Sequence, residues 1–327
     1  MNQEKIRDLE QMISSDYGNV AGIVVRKNGE KRYEGYFHGY TADDAVHVFS
    51  VTKSVFSILI GIAIDKGYIQ STEQKVLDFF PDYTVKRGEK TLQNVRIKDM
   101  LTMTVPYKFK SAPYTKYFTS ESWVKTALDL MGGKGKIGDF RYAPLVGPDV
   151  LSGILSNVTG QSALAFAAEN LFSPLGIREM HKIVFNSKEE QIAWSTKDTH
   201  TPGWVADPQG INTVGWGLTL TPSDMAKIGQ FYLNGGLWDG KQIVSSEWVT
   251  ESTREHSRCV QWGNLGYGYL WWVLSENTYA AMGDGGNVIY VDTEKNMVVS
   301  IASLFKPNAK DRIALIKERI EPIFEDR

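Results

Sequence analysis

One stretch, residues 46–64, constrains this chain more than any other. A short apolar segment leads into Ser50, Lys53 follows one helical turn later, and an apolar run extends over residues 54–64. This pattern predicts a buried helix that begins near Ser50. Because residues three apart lie on the same face of a helix, the Ser50 Oγ and the Lys53 Nζ can meet.

Ser50 and Lys53 have the chemistry of a nucleophile and its base. A serine hydroxyl is a weak nucleophile until a nearby base removes its proton, and a lysine becomes such a base when burial lowers its pKa. A helix N-terminus also presents free backbone N–H groups, which stabilise an oxyanion. One turn could therefore supply the nucleophile, the base and one oxyanion donor.

The same spacing occurs twice more, at Ser122/Lys125 and at Ser303/Lys306. Neither pair opens a long apolar run. The first lies in an amphipathic stretch, and the second ends a strand-like run just before a proline. We interpret both as a capping serine with a solvated lysine, so only Ser50 is a candidate nucleophile.

Composition restricts the partners and the compartment. The 327 residues carry a formal net charge of −2 without a basic excess, so no nucleic acid is expected. The single Cys259 excludes an intrachain disulfide and fits a reducing compartment. A polar N-terminus and the lack of a transmembrane-length apolar run predict a cytoplasmic protein with no membrane partner. The five histidines lack metal-ligand spacing, so we expect no metal and no cofactor.

Strand patterns occupy both ends of the chain, and helical patterns occupy its middle. We predict an α+β fold in a single domain, residues 1–327. A mostly antiparallel sheet would come from about residues 1–69 and 261–327, and about residues 70–260 would form an inserted helical lobe. The main predicted strands are residues 20–26, 32–38, 266–273, 287–291 and 297–302, and the main predicted helices are residues 50–66, 149–159, 222–234 and 311–324.

Six segments together resemble a known family; they are residues 49–54, 140–144, 151–160, 171–177, 217–226 and 267–272. Their order and spacing are similar to those of the serine β-lactamase and penicillin-binding-protein superfamily. The likeness is greatest to its class C-like branch, which includes esterases, D-aminopeptidases and hydrolases of aminohexanoate oligomers. The resemblance implies a β-lactamase/transpeptidase-like fold, with an antiparallel sheet flanked by helices and a mostly helical inserted lobe.

The resemblance implies three catalytic residues. Ser50 would be the acylated nucleophile and Lys53 its partner base. Tyr142 would be the phenol of the branch's Tyr-x-Asn motif, which moves a proton to the leaving group and from the deacylating water. Because an adjacent cation stabilises a charged phenol, we expect Lys53 to favour the phenolate of Tyr142.

The chain also departs from the family pattern. Ala143 and Pro144 follow Tyr142, so the motif's Asn is absent, and no Lys-Thr-Gly occurs. We place Asp284-Gly285-Gly286 on that triplet, which makes the N–H of Asn287 the second oxyanion donor beside that of Ser50.

The same register makes Asp284 and Gly286 part of the substrate-binding strand. Asp284 would repel the carboxylate of penicillins and cephalosporins, so we expect poor β-lactam hydrolysis. A neutral ester, an amide or a substrate with a free amine fits better.

Five aromatic residues could wall a cleft, and they are Trp204, Trp216, Tyr267, Trp271 and Trp272. Since aromatic side chains more often belong to the core, we expect only one or two of them at the site.

The leading hypothesis is a serine hydrolase that acts on a small-molecule ester or amide through an acyl-enzyme. Two other classes are open. An α/β-hydrolase needs a Gly-x-Ser-x-Gly elbow, which the sequence lacks. A catalytically inactive binding protein on the same fold would account for the missing motif residues, but it has no need of Ser50, Lys53 and Tyr142 together.

Overall fold

The computed structural model describes residues 3–325, and its centre is an eight-stranded antiparallel sheet. The strands of this sheet and of three short pairs are β1 (Val20–Lys27), β2 (Glu30–Tyr36), β3 (Val46–His47), β4 (His181–Ile183), β5 (Gly203–Val205), β6 (Thr219–Leu220), β7 (Leu237–Trp238), β8 (Lys241–Gln242), β9 (Ser257–Cys259), β10 (Leu265–Tyr267), β11 (Trp272–Val273), β12 (Thr278–Gly283), β13 (Asn287–Asp292) and β14 (Met297–Ser303). The order in the large sheet is β2-β1-β14-β13-β12-β11-β10-β9.

Helices cover the sheet and fill the middle of the chain. The α-helices are α1 (Gln3–Asp16), α2 (Val51–Asp65), α3 (Ile97–Leu101), α4 (Tyr114–Phe118), α5 (Trp123–Leu130), α6 (Asp149–Thr159), α7 (Ala163–Ala167), α8 (Lys188–Ser195), α9 (Pro222–Leu233), α10 (Ser246–Thr253), α11 (Arg312–Leu315) and α12 (Glu321–Phe324). Across residues 3–325, no one helix combines the length and apolarity needed to cross a membrane, and a pair bent by 74°, residues 149–159 and 163–172, meets that test only jointly.

The two ends of the chain meet in the sheet, as the sequence predicts. Strand β1 pairs with β14 on one side and with β2 on the other. Asn28 and Gly29 connect β1 to β2, and their φ values of 53° and 81° are those of a tight hairpin turn. The N-terminal hairpin therefore adds directly to the C-terminal strands.

The sheet separates two hydrophobic cores. One contains Leu9 and Ile13 of α1, the side chains of β1 and β14 on the same side of the sheet as α1, and the C-terminal helices. The other contains the buried side of α2, the helical lobe and α9. Gly229 lets α9 lie close on the sheet, since a Cβ there would be 2.5 Å from a Val298 methyl group. Although α9 falls within the range expected for the helical lobe, it packs on the sheet.

One predicted strand proves to be two. The expected single strand over residues 266–273 is a hairpin of β10 and β11, because Leu270 has a left-handed φ of 62° and the Gly268 N–H donates to the Trp271 carbonyl. The turn is held from outside, where the Leu270 carbonyl accepts a 2.6 Å hydrogen bond from Ser54 Oγ. Tertiary contacts with α2 therefore override the strand pattern.

Candidate active site

Ser50 lies at the start of α2, as predicted, and forms its N-cap. The preceding Phe49 has a φ of 49°, which turns the chain sharply out of β3 and into the helix. Thr52 fastens this turn, because its Oγ1 donates to the Phe49 carbonyl at 2.6 Å and accepts from the Leu218 N–H at 3.3 Å. Ser50 is thus partly exposed at the end of a helix whose next thirteen residues are buried.

Lys53 is only 1% exposed, and its Nζ lies 2.8 Å from the Oγ of Ser50. The same nitrogen donates to the carbonyl oxygens of Pro144 and Gly215, each at 2.8 Å. In the neutral amine, two N–H bonds satisfy these two carbonyls and leave the lone pair directed at the Ser50 hydroxyl. The geometry therefore allows neutral Lys53 to accept the Ser50 proton.

The electrostatics of Lys53 agree with this role. Burial lowers its pKa from 10.5 to about 7, while the negative charges of Asp284 and Asp149 act in the opposite direction. A base whose pKa lies near neutrality is deprotonated often enough to accept a proton and is still basic enough to hold it. Lys53 meets both requirements.

Tyr142 completes the group, with its ring centroid 5.1 Å from the Lys53 Nζ. Burial raises the pKa of its phenol well above 10, the Asp284 charge adds to this rise, and the nearby Ser50 hydroxyl opposes it. The structure therefore contradicts the expectation of a phenolate. The reason is that burial raises the pKa of the phenol and lowers that of Lys53, so the cation that would have stabilised the phenolate is less populated. Tyr142 is a neutral phenol that can relay a proton.

Arg141 anchors the segment that carries Tyr142. Its N–H donates to the Met103 carbonyl at 2.7 Å, and its guanidinium donates to the carbonyls of Tyr107, at 2.9 Å, and Phe109. The guanidinium also lies over both aromatic rings, with distances of 5.3 and 5.0 Å to their centroids. This anchoring directs the Pro144 carbonyl, two residues beyond Tyr142, at Lys53. A backbone carbonyl thus contacts the lysine in a segment where the family motif has an Asn.

Two of the five proposed aromatic residues pack on the Tyr142 ring, Tyr267 at 6.3 Å and Trp272 at 5.7 Å between centroids. Sequence reasoning missed a third neighbour, Trp262, which lies 4.9 Å away and is 51% exposed. The remaining three, Trp204, Trp216 and Trp271, pack among other aromatic residues away from Tyr142.

The glycine-rich segment after β12 lies at the site in a different form from that expected. Strand β12 ends at Gly283, and Asp284–Gly286 forms a short 3₁₀ turn into β13. Gly285 and Gly286 have φ values of 77° and 89°, which a strand does not allow. The placement of this triplet on a strand was therefore wrong.

Gly283 is the residue that packs against Ser50. A Cβ on Gly283 would lie 2.3 Å from the Val48 carbonyl and 3.1 Å from the Ser50 nitrogen. Asp284 follows it, exposed, with its charge acting on both Lys53 and Tyr142.

Asn287 is fully buried below this turn. Its Nδ2 donates to the carbonyls of Asp284, at 2.8 Å, and Ser303, at 2.9 Å, and its Oδ1 accepts from the Ser303 N–H. The Asn287 side chain therefore ties the turn to β14. Gly286 has its Cα against the Arg312 side chain, where a Cβ would lie 2.7 Å from Nε.

Of the other two Ser-x-x-Lys pairs, Ser122/Lys125 lies in the helical lobe and Ser303/Lys306 lies beside the turn at Asp284. The Ser122 Oγ accepts from the Lys125 N–H at 3.2 Å and caps α5, which confirms the interpretation of that serine. Ser303 is not a cap, because it is buried at the end of β14 and donates to the Gly286 carbonyl at 3.4 Å. Lys306 is exposed.

Sequence reasoning did not assign Gly215 and Asp149. Gly215 supplies a carbonyl to both Lys53 and, at 3.4 Å, the Ser50 Oγ. Asp149 is 2% exposed and accepts from the Val214 N–H at 2.7 Å. The only sequence signal for Asp149 was a carboxylate in the first turn of an otherwise uncharged helix.

A cavity of about 660 Å³ opens in the helical lobe near Trp216. Its apolar walls include Phe118, Trp123 and Phe185, whose ring centroids lie 5.8, 6.5 and 6.5 Å from that of Trp216. Trp216 directly follows Gly215, so this largely apolar space adjoins the segment that contacts Lys53.

Comparisons with known proteins agree with the fold. The profile of the family described as Beta-lactamase matches residues 9–321. The chain is 24% identical to a 6-aminohexanoate-dimer hydrolase of Paenarthrobacter ureafaciens, over 75% of this chain and 59% of that hydrolase. The match thus spans less than two thirds of that relative.

Solved structures share the fold. A putative 6-aminohexanoate-dimer hydrolase from Bacillus anthracis has a TM-score of 0.75 at 19% identity, covering 96% of this chain and 81% of that one. A family VIII carboxylesterase has a TM-score of 0.71 at 17% identity, covering 97% of this chain and 96% of that one.

Proposed function

The chain belongs to the Beta-lactamase family, and from that premise we propose that it is a serine hydrolase that acts on a small-molecule ester or amide through an acyl-enzyme on Ser50. The single observation that carries the proposal is the 2.8 Å contact between the Ser50 Oγ and the buried Lys53 Nζ. The similar proteins include a 6-aminohexanoate-dimer hydrolase, a carboxylesterase and a D-stereospecific amidohydrolase, and these names support the reaction type.

Acylation begins with proton transfer from Ser50 to Lys53. As the neutral amine takes the proton, the Oγ attacks the substrate carbonyl carbon and the carbonyl electron pair moves to its oxygen. Collapse of this tetrahedral adduct breaks the bond to the leaving group, which receives a proton from the Lys53 ammonium by way of the Tyr142 hydroxyl. A water molecule then attacks the acyl-enzyme by the reverse route, releasing the acid and restoring the Ser50 hydroxyl.

The oxyanion is stabilised by two backbone N–H groups. The first is that of Ser50, which has no acceptor among residues 3–325. The register drawn from the sequence assigns the second to Asn287. The position of Gly283 against the Ser50 nitrogen favours instead the N–H of Asp284, the next peptide along.

Charge narrows the substrate class. The Asp284 carboxylate acts on both Lys53 and Tyr142, so a substrate bound there experiences a negative charge. The carboxylate of a β-lactam would be repelled, whereas a neutral group or an ammonium would be accepted. We therefore propose an uncharged or amine-bearing ester or amide as substrate, and no efficient β-lactamase activity.

The test is covalent labelling with a fluorophosphonate probe, followed by intact mass and peptide mapping. We expect one adduct on Ser50, absent in Ser50→Ala and strongly slowed in Lys53→Met, while both variants unfold near the wild-type temperature. Labelling of a folded wild-type protein at another serine would refute the mechanism. No adduct at all would favour the binding-protein alternative.

A further inference from the structure

Asp149 is a buried carboxylate close to the proposed base, and the mechanism above does not use it. It is the first residue of α6 and is 2% exposed. Its Oδ2 accepts from the Tyr117 hydroxyl at 2.5 Å, and its Oδ1 accepts from the Val214 N–H at 2.7 Å. A carboxylate with such short hydrogen bonds is held in one orientation.

The backbone of two residues connects Asp149 to Lys53. Val214 donates its N–H to the carboxylate, and the carbonyl of the next residue, Gly215, accepts from the Lys53 Nζ at 2.8 Å. This backbone has little freedom to move, because a Cβ on Gly215 would lie 2.4 Å from the Pro144 carbonyl. Displacement of Asp149 would therefore displace an acceptor of Lys53.

We propose that Asp149 is a positioning residue, which holds the Gly215 carbonyl against Lys53 and places a buried negative charge behind the base. The inference rests on the proposed function, since it assumes that Lys53 deprotonates Ser50. It adds a second determinant of the protonation state of Lys53, on the opposite lobe from Asp284.

The charges around Asp149 support this role. Its pKa is raised to about 6 by burial and by the Asp207 charge, while hydrogen bonds from Tyr117 and from the backbone of Val214 and Gly215 lower it. Tyr107 is a further titratable group facing it, and Arg141 faces Tyr107 in turn. At the pH where Lys53 titrates, about 7, Asp149 is mostly ionised, and its charge raises the pKa of Lys53.

Asp149→Asn tests the proposal, because the amide keeps an oxygen for the Val214 N–H and removes the charge, while its NH₂ group donates to the Tyr117 oxygen in place of accepting from it. The measurement is the second-order rate constant for fluorophosphonate labelling of Ser50 between pH 5 and pH 9. Removal of the negative charge makes protonated Lys53 less favoured. The acidic limb of the pH–rate profile should therefore move to lower pH by about one unit. A residue with only a structural role would lower the rate at every pH without moving the limb.

Asp207→Asn is the matched control. Asp207 is also buried in the helical lobe and accepts backbone N–H groups, those of Trp123, Gln209 and Ile211. Its charge is not among those that shift the pKa of Lys53 and acts only by opposing ionisation of Asp149. The acidic limb of the Asp207→Asn variant should therefore stay in place or move slightly to higher pH, opposite to the shift expected for Asp149→Asn.

A second variant, Tyr117→Phe, provides the test if Asp149→Asn does not fold. Loss of the phenol hydrogen bond makes the Asp149 carboxyl easier to protonate, so the limb should move in the same direction by a smaller amount. An unchanged limb in every folded Asp149 and Tyr117 variant, with Ser50 still labelled, would overturn this proposal alone. A wild-type protein that is never labelled would overturn it together with the proposed function.

Discussion

Gly215→Ala should move one of the two backbone carbonyls that contact Lys53, those of Pro144 and Gly215, out of hydrogen-bonding range. The added Cβ would lie 2.4 Å from the Pro144 oxygen and 3.1 Å from the Leu145 Cα, whereas ordinary contacts begin at 3.4 Å. The two segments must therefore move apart by about 1 Å. Gly215 has no left-handed φ, so the whole effect comes from this contact.

The magnitude follows from the hydrogen bonds that are lost. Each carbonyl lies 2.8 Å from the Lys53 Nζ, and a displacement of about 1 Å takes one of them beyond hydrogen-bonding range. Loss of one hydrogen bond to a buried, charged or chargeable group costs about 1.5 to 3 kcal/mol. If that stabilisation is needed to hold Lys53 in the transition state, kcat/KM should fall about 10- to 150-fold.

The assay is kcat/KM for a neutral aryl acetate ester, together with the thermal unfolding temperature. Gly18→Ala is the control, because Gly18 is exposed and a Cβ there would have no neighbour within 4 Å. We expect Gly18→Ala to match wild type in both measurements. A Gly215→Ala variant that is folded and retains at least half of the wild-type kcat/KM would refute the role given to the two carbonyls.

Two further predictions concern charge. Because Lys53 must be neutral to accept a proton and its pKa is lowered to about 7, the rate of Ser50 acylation should fall about tenfold for each pH unit below neutrality; initial rates from pH 5 to pH 9 test this, and an inflection near pH 10 would contradict it. Asp284→Asn should reduce the preference for an acetate ester with a quaternary ammonium over one with a carboxylate by about three- to tenfold. The exposed Glu276→Gln provides the same change of charge as a control, and an equal reduction in both variants would remove Asp284 from substrate selection.

Residues near each other in the sequence were the ones that sequence patterns placed correctly. The Ser50–Lys53 pair is three residues apart, and α2 forms where the apolar run predicts it. The Asn28-Gly29 turn and the helix over residues 149–159, which ends at Gly160 with a φ of 70°, also follow from local conformational preference. The sequence patterns failed where an apolar stretch is bent by a distant contact, as at Leu270.

The protonation states at the site could not be obtained from the sequence. The expectation of a Tyr142 phenolate came from a pairwise argument, which considered only a cation beside a phenol. The folded chain buries both groups, and burial lowers the pKa of Lys53 while it raises that of Tyr142. Burial is a property of the whole structure, so a pairwise argument could not predict its sign.

The sequence by itself therefore determined the family, the Ser50–Lys53 pair and the helix that brings its two members together. Tertiary structure alone decided what surrounds them: Lys53 meets carbonyls 91 and 162 positions away, and the turn beside Ser50 comes from the other end of the chain. The physical reason is that helix geometry acts over three or four residues, whereas desolvation and hydrogen bonding at a buried site depend on which distant segments pack there.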